Sequence, residues 1–317
     1  MNDERAVLVI GGTGFLGQRV VSALLAEGYR VRCLVRDPSK AATVRDDGVD
    51  VVVGDMLDVD SVVKAARDVQ AVVVCIHTVS PQPARQAGHD FVEVELAGVA
   101  NIIDGCRKND VSRLVYVTSI GVASDARSSW TRGRAWVEAL LFASGLDVTV
   151  LRPGMIVGHG GDGFGMVERG AGRRAALLIS SRHQRFRTVG VADLAGQLVA
   201  LLPDHRSFGQ HFDVGSDDVL TIDAMLDLTA QRLGRRPPVK LHLPRRVIAW
   251  MAPLLERVAK MPPGAIGGFV GDGSDEDMIG DVTAIRALMD QPPQPFRESM
   301  EQALREAAAA PIPPNGS

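Results

Sequence analysis

Apolar and polar positions follow two rhythms through the first half of the chain. Short, nearly continuous runs rich in valine and isoleucine are AVLVI (6–10), RVRCLV (30–35), VDVVVG (49–54), AVVVCI (71–76), RLVYVTS (113–119) and DVTVLR (147–152). Between them, as in 15–27, 58–68, 89–108 and 131–143, apolar residues recur at helical spacing. Runs apolar at every position predict strands covered on both faces, and helical crossovers make successive strands parallel. The pattern predicts a doubly wound parallel α/β sheet. After Pro153 the rhythm loosens. Residues 155–190 are rich in Gly and Arg, VADLAGQLVALL (191–202) reads as a helix, QHFDV (210–214) as a strand, and Thr221 as the cap of a helix reaching about Leu233.

The first strand runs into a glycine turn, VLVIGGTGFLGQRVVSALL, which satisfies both GxGxxG (Gly12, Gly14, Gly17) and GxxGxxG (Gly11, Gly14, Gly17). The first glycines let the backbone turn tightly and approach a pyrophosphate, and the last lets helix and strand pack closely. The helix N-terminus offers unpaired N–H groups and a positive dipole end. No Lys-Ser/Thr pair follows, as a Mg-nucleotide loop would require. With a strand before it and a helix after it, the turn predicts dinucleotide binding. Residues 1–152 therefore read as a Rossmann dinucleotide-binding domain and 153–307 as a smaller C-terminal α/β region on the substrate or partner side, covering the carboxyl ends of the sheet. Residues 308–317 read as a flexible, proline-bearing tail.

An NAD-preferring fold ends its second strand with an acidic residue that accepts from the ribose hydroxyls. Here that strand ends CLVRDPSK, with Arg36 at the tip and Lys40 one turn on. Two cations suit a 2′-phosphate, and arginine can clamp it bidentately. Asp37 would serve a ribose instead if the register shifted by one. NADP is the expected coenzyme, NAD the second choice.

Composition excludes more than it selects. The formal charge of −3 lacks the basic footprint of a nucleic-acid-binding protein. Cys33, Cys75 and Cys106 form no disulfide frame and no CxxC, so a reduced, cytoplasmic interior is expected and no metal site. No apolar stretch approaches the roughly 18 residues that span a bilayer. The opening MNDERAVLVI is acidic and enters a strand at once, which predicts no signal peptide.

With GGTGFLG, LVRDPSK, GDMLD (54–58), LVYVTSIG (114–121), GLDVTVLRPG (145–154) and VGVADLA (189–195) in order, the chain resembles the short-chain dehydrogenase/reductase superfamily. It is most similar to the extended and atypical branches, including NmrA-like proteins and the NADPH-binding accessory subunit of respiratory complex I. The resemblance covers about residues 5–235. It implies that Gly11, Gly12, Thr13, Gly14, Phe15, Leu16 and Gly17 hold the pyrophosphate and that Arg36 and Lys40 hold the adenosine phosphate. Asp55 and Met56 would flank the adenine, and Cys75, Ile76 and His77 would lie along the nicotinamide-side ribose. Ser119 would orient the substrate, and Pro153 and Gly154 would border the nicotinamide.

The family's acid/base tyrosine aligns with Trp130 and its lysine with Arg134, an alignment that Glu138 supports. An indole N–H is a hydrogen-bond donor but no general acid near neutral pH. Arginine stays protonated and can bind ribose or phosphate but shuttles no proton. Of the two tyrosines, Tyr29 precedes the second strand at its amino edge and Tyr116 reads as core. The remaining candidate donors are His77, Ser119 and His159. No GxSxG elbow and no HExxH occurs.

Two further features stand out. ERGAGRRAALLISSRHQRFR (168–187) carries six arginines against Glu168. It reads either as a solvated face or as a surface for a phosphate- or carboxylate-bearing substrate, an anionic lipid headgroup or an acidic partner. GDGSDEDMIGD (271–281) lacks the glycine of a calcium loop and reads as an acidic loop. Two functions remain open: an NADP(H)-dependent oxidoreductase acting on a small anionic or quinone-like substrate without the Tyr-Lys pair, or a non-catalytic NADP(H)-binding sensor or assembly subunit that docks a partner protein.

Overall fold

The structure, a computed structural model, describes residues 6–44, 48–76, 91–126, 128–243, 245–258 and 276–309. His77, residues 271–275 of the acidic loop and residues 310–317 of the tail lie outside the described residues.

The strands are β1 (Ala6–Ile10), β2 (Val31–Val35), β3 (Val49–Val53), β4 (Val69–Val74), β5 (Arg113–Val117), β6 (Asp147–Pro153), β7 (Met155–Val157), β8 (Ala175–Leu178), β9 (Arg185–Gly190), β10 (Gln210–Val214), β11 (Val219–Thr221) and β12 (Val239–His242). Seven of them form the central sheet in the order β10-β6-β5-β4-β1-β2-β3, with every neighbouring pair parallel. The alternation along β1 explains why its run is apolar throughout. Val7 and Val9 enter one core layer while Ala6, Leu8 and Ile10 enter the other, and all five are buried. Each fully buried Val, Leu or Ile side chain contributes roughly 1.5–3 kcal/mol. Helix α1 (Phe15–Ala26) covers the first face, while α2 (Val59–Ala65), α3 (Phe91–Lys108) and α4 (Ser129–Phe142) pack side by side on the other.

Several boundaries move from those the pattern predicts. The helix expected over 58–68 ends at Ala65, because the chain turns through Asp68 at φ 57°. The fourth strand runs from Val69 to Val74, and Cys75 and Ile76 follow it at the carboxyl end of the sheet, the Cys75 N–H still donating to the Ile10 carbonyl at 2.9 Å. Helix α4 starts at Ser129 rather than 131, capped by Ser128, whose hydroxyl accepts from the Thr131 N–H. Thr221 caps the helix α7 (Ile222–Arg232), as its position predicts.

Two elements beyond residue 152 return to the central sheet. Helix α6 (Val191–Leu201) packs on α1, and β10 pairs with β6. Arg113 fastens this return. Its buried guanidinium donates to the carbonyls of Leu201 at 2.7 Å, Leu202 at 2.8 Å and Asp147 at 2.6 Å, and its Cζ lies 4.3 Å from the Phe208 ring centroid. Burial pulls its pKa down to about 10, which leaves it charged at neutral pH. The rest of the C-terminal part has its own core. It is built from α5 (Asp162–Ala171), α7, the helix Phe296–Ala309 and the small sheets β11-β9-β7 and β12-β8.

Candidate functional site: a cleft at the carboxyl ends of the sheet

The glycine turn is close-packed backbone. Gly11 sits at φ +90°, and a Cβ there would come within 2.5 Å of the Cys75 carbonyl oxygen. A Cβ on Gly17 would lie 2.0 Å from the Gly11 carbonyl oxygen, so only glycine lets α1 press onto the end of β1. Gly12 lies over the Cys33 sulfur, 2.8 Å from where its Cβ would stand. Gly14 is the N-cap of α1 and supplies no side chain to cap it, so the leading N–H groups of the helix open outward. Phe15 reaches across to the loop 158–161, where a Cβ on Gly158 or Gly161 would meet its ring within 2.9 Å.

These groups border a cleft of about 860 Å³ that runs along the carboxyl ends of the sheet, where β1 and β4 diverge to opposite halves. Gly11, Thr13, Gly14, Phe15 and Leu16 line its middle. Arg36 and Lys40 after β2, with Asp55 and Met56 after β3, line one end. Cys75, Ile76, Ser119, Arg134 and Pro153 line the other. Gly12 and Gly17 lie beneath the lining rather than in it, consistent with packing roles. His159 does not line the cleft; its backbone oxygen accepts from Arg19 at 3.3 Å. As a proton donor it is therefore displaced from the position the sequence pattern predicts.

At the outer end Asp37 also lines the cleft, with one carboxylate oxygen, Oδ1, bonded within its own loop. Its carboxylate accepts from the Ser39 N–H at 3.0 Å and the Ser39 hydroxyl at 2.7 Å, capping the short 3-10 turn Pro38–Thr43. Those bonds from Ser39 hold its pKa below the usual carboxylate range.

At the inner end the Arg134 Cζ lies 4.9 Å from the Trp130 ring centroid. Both residues are buried on the first turns of α4. Arg134 Nη1 lies 3.8 Å from Glu95 Oε1 and donates to the Val117 carbonyl at 3.4 Å, while Nε has no partner among the described residues. Glu95, on α3, accepts from the Tyr116 hydroxyl at 2.8 Å. Tyr116 is fully buried, as its mid-strand position predicts. Burial, and then the Glu95 carboxylate, push its phenol well above the ordinary range. One turn further along α4, Glu138 accepts from the Thr118 hydroxyl at 2.7 Å and from Arg152 Nε at 3.0 Å. Ser119 Oγ is buried against the cleft with no partner among the described residues. The glycine cradle, the uncapped helix and this orphaned hydroxyl fit a dinucleotide with a polar group to place at its inner end.

The cleft also has a wall that the sequence pattern does not reveal apart from Pro153 and Gly154, made by Met155, Ile156, Phe186 and Met278. Met278 arrives because Asp277 of the acidic loop pairs with Arg185 of the arginine-rich segment. Opposite charge in two distant segments was the available signal, but nothing in the sequence matched the partners.

Cys75 borders the cleft as a packed thiol. Burial pushes it up to about 12, and burial likewise pushes Cys33 and Cys106 up to about 12. The native protein at pH 8 should therefore leave all three thiols unlabelled by a disulfide reagent, with all three reacting after denaturation; fast native labelling of Cys75 would refute this packing.

Among known proteins, the chain is 31% identical over 147 residues to the photosystem II assembly factor Ycf39 of Cyanophora paradoxa, covering 46% of this chain and 44% of that one. It is 30% identical over 200 residues to the ceramide reductase of Caulobacter vibrioides, covering 62% of this chain and 61% of that one. The chain thus spans about half of each relative's length. The NADPH-dependent quinone oxidoreductase QOR2 of Escherichia coli superposes with a TM-score of 0.73 at 16% identity, covering 94% of this chain and 99% of that one, which is a likeness of fold. No helix among the described residues is long and apolar enough to cross a membrane. Residues 11–201 match the family described as NAD(P)H-binding, and with the doubly wound sheet and its glycine cradle in place, the chain belongs to that family.

Proposed function

We propose that the chain binds NADP(H) in this cleft and reduces a quinone-type or conjugated carbonyl acceptor, without a phenolic proton donor. The observation that carries the reading is the buried indole–guanidinium stack of Trp130 and Arg134 where the superfamily keeps its tyrosine and lysine. No tyrosine or histidine is among the described residues lining the inner end. When bound, the coenzyme supplies a hydride. The N–H groups at the start of α1 hold its diphosphate. Arg134 keeps a fixed positive charge beside the inner ribose, and Ser119 Oγ donates to the acceptor oxygen. A quinone spreads the negative charge it gains over its ring and takes its proton from water, so the missing acid costs little. A ketone, whose alkoxide needs a donor, is a poor substrate.

Preference for the phosphorylated coenzyme is supported by exposed Arg36 and Lys40 at the outer end, where Asp37 also stands with its Oδ1 bonded to Ser39. Arg36→Ala should weaken NADPH binding about ten- to hundredfold, the value of a charge-assisted bond of roughly 1.5–3 kcal/mol, and leave NADH nearly unchanged. Fluorescence titration with both coenzymes checks this, and equal losses would refute the register.

A second reading, a coenzyme-binding protein that docks a partner, draws on the same stack and on the likeness to an assembly factor. Loss of NADPH absorbance with quinones, enones and simple ketones separates the two. Turnover of quinones that survives Trp130→Phe is the expected result. Tight NADPH binding with no turnover of any acceptor would overturn the reductase, and loss of turnover with His77→Ala would return the donor role to that residue.

A further inference from the structure

The arginine-rich segment and the chain from β12 onward present an apolar surface to solvent that the cleft does not use. In the β12-β8 pair, Ala176 and Leu178 point into the C-terminal core while Leu177, Val239 and Leu241 are 60%, 63% and 51% exposed on the opposite face. The register sets Leu241 beside Leu177 and Val239 beside Ala175, so these side chains form one face. Helix α8 (Arg245–Val258) follows β12 after two residues. Val247, Trp250, Leu254 and Val258 recur at helical spacing along it and are 39%, 82%, 63% and 75% exposed, while Ala252 and Glu256 are buried. The helix turns its apolar stripe outward, the reverse of an ordinary surface helix.

The exposed charges bordering this surface are mostly cationic. Residues 169–192 and 228–255 contain no Asp or Glu and carry six cationic residues each, in a chain whose formal charge is −3. Arg185, Arg232 and Lys240 pair with Asp277, Glu301 and Asp227. Arg173 and Arg174 stand exposed just before β8, and Arg235 and Arg236 just before β12. These two arginine pairs are held side by side, because Arg235 donates to the Gly172 carbonyl and the Val239 N–H to the Arg174 carbonyl at 2.9 Å.

We propose that the outer faces of the β12-β8 pair and of α8 dock this protein on an anionic membrane surface. Open faces rather than a groove, a tryptophan as the most exposed large apolar side chain among the described residues, and a cationic border are what the headgroup–acyl boundary selects. The aliphatic and indole side chains enter the boundary, and Arg173, Arg174, Arg235 and Arg236 meet lipid phosphates and carboxylates. An acidic protein or a second copy of the chain is the competing occupant. The proposal does not depend on the reductase reading.

The test is flotation of the full chain, without coenzyme, on vesicles of phosphatidylcholine alone and of equal parts phosphatidylcholine and phosphatidylserine. The chain should float with the anionic vesicles only and be released by high salt. Trp250→Glu with Leu254→Glu should abolish flotation. Arg173→Glu with Arg174→Glu should weaken it by about 30-fold or more, since each cation near such a surface is worth about a fivefold change. Leu177→Glu with Leu241→Glu serves as an independent variant should α8 fail to fold. Unchanged NADPH titration and thermal melts confirm that the variants remain intact and separate this result from the fate of the coenzyme reading. Absence from anionic vesicles, undiminished flotation of the glutamate variants, or a stable dimer in solution that the same variants dissociate would overturn the proposal.

Discussion

Gly17→Ala should cost about 3 kcal/mol of stability or more and abolish measurable coenzyme binding. The added methyl would stand 2.0 Å from the Gly11 carbonyl oxygen and 2.8 Å from the Gly12 Cα, and both are backbone atoms that no rotamer change can move. The turn cannot retreat, because Gly11 is itself pressed against the Cys75 carbonyl. Helix α1 must therefore shift outward, carrying Leu16, Val20 and Leu24 out of register with the core they share with α6. Overpacking a tight interior costs roughly 1–3 kcal/mol, and a clash of backbone on backbone lies at or above the top of that range. The same shift moves the leading N–H groups of α1 away from the diphosphate. Gly14→Ala is the control: Gly14 has φ −81°, and its Cβ would be 3.2 Å from the Gly11 oxygen. It should melt near the unaltered protein while binding NADPH less well. If Gly17→Ala melts and binds like the parent chain, the strand–helix junction has been misread.

Glu138→Ala should cost about 3–5 kcal/mol, the penalty for removing one member of a buried ion pair. Glu138 is 3% exposed, and its carboxylate is the acceptor for both the Thr118 hydroxyl and the Arg152 guanidinium, which also forms a close Nη2 contact with Oε2. Without it the partly buried Arg152 guanidinium loses its carboxylate partner. Glu138→Gln keeps an acceptor and should lose less. Replacing Glu138 and Arg152 together with leucine should recover much of the loss, because the cost lies in the orphaned charge rather than in the absence of the pair. Denaturant unfolding measures all three. A loss below about 1 kcal/mol for Glu138→Ala would mean that the pair is effectively solvated. Because Arg134 and Trp130 stand one and two turns earlier on α4, the alanine variant should also weaken NADPH binding, whereas the paired leucines should restore it.

These two sites differ in how far they could be read from the chain. The glycine turn was legible because three of its constraints act between residues at most six apart: a left-handed Gly11, a helix start at Gly14 and a close approach at Gly17; the contacts of Gly11 with Cys75 and of Gly12 with Cys33 were not. The strands of the central sheet were legible for a similar reason, because burial on both faces demands a valine-rich run wherever it occurs. The Glu138–Arg152 pair was only half visible. Glu138 drew notice through its spacing from Arg134, but its partner lies on another strand. Glu95 gave no sign at all, because an acidic residue on α3 looks solvated until Tyr116 and Arg134 are brought against it.

What the amino-acid order determined by itself is therefore the parallel sheet and the glycine cradle for a dinucleotide. Each is specified by side-chain size and backbone freedom within a turn or a strand. Only the tertiary structure decided that β10 completes the sheet beside β6, that Met278 and Phe186 close the cleft, that Asp37 Oδ1 is bonded to Ser39, and that α8 turns its apolar stripe to solvent. Most of these outcomes depend on which distant surfaces find each other, and a charge or an apolar side chain records only that it needs a partner, not which one. The Asp37 cap is local, but whether its Oδ1 meets Ser39 depends on the backbone path after β2, which the residue types left open.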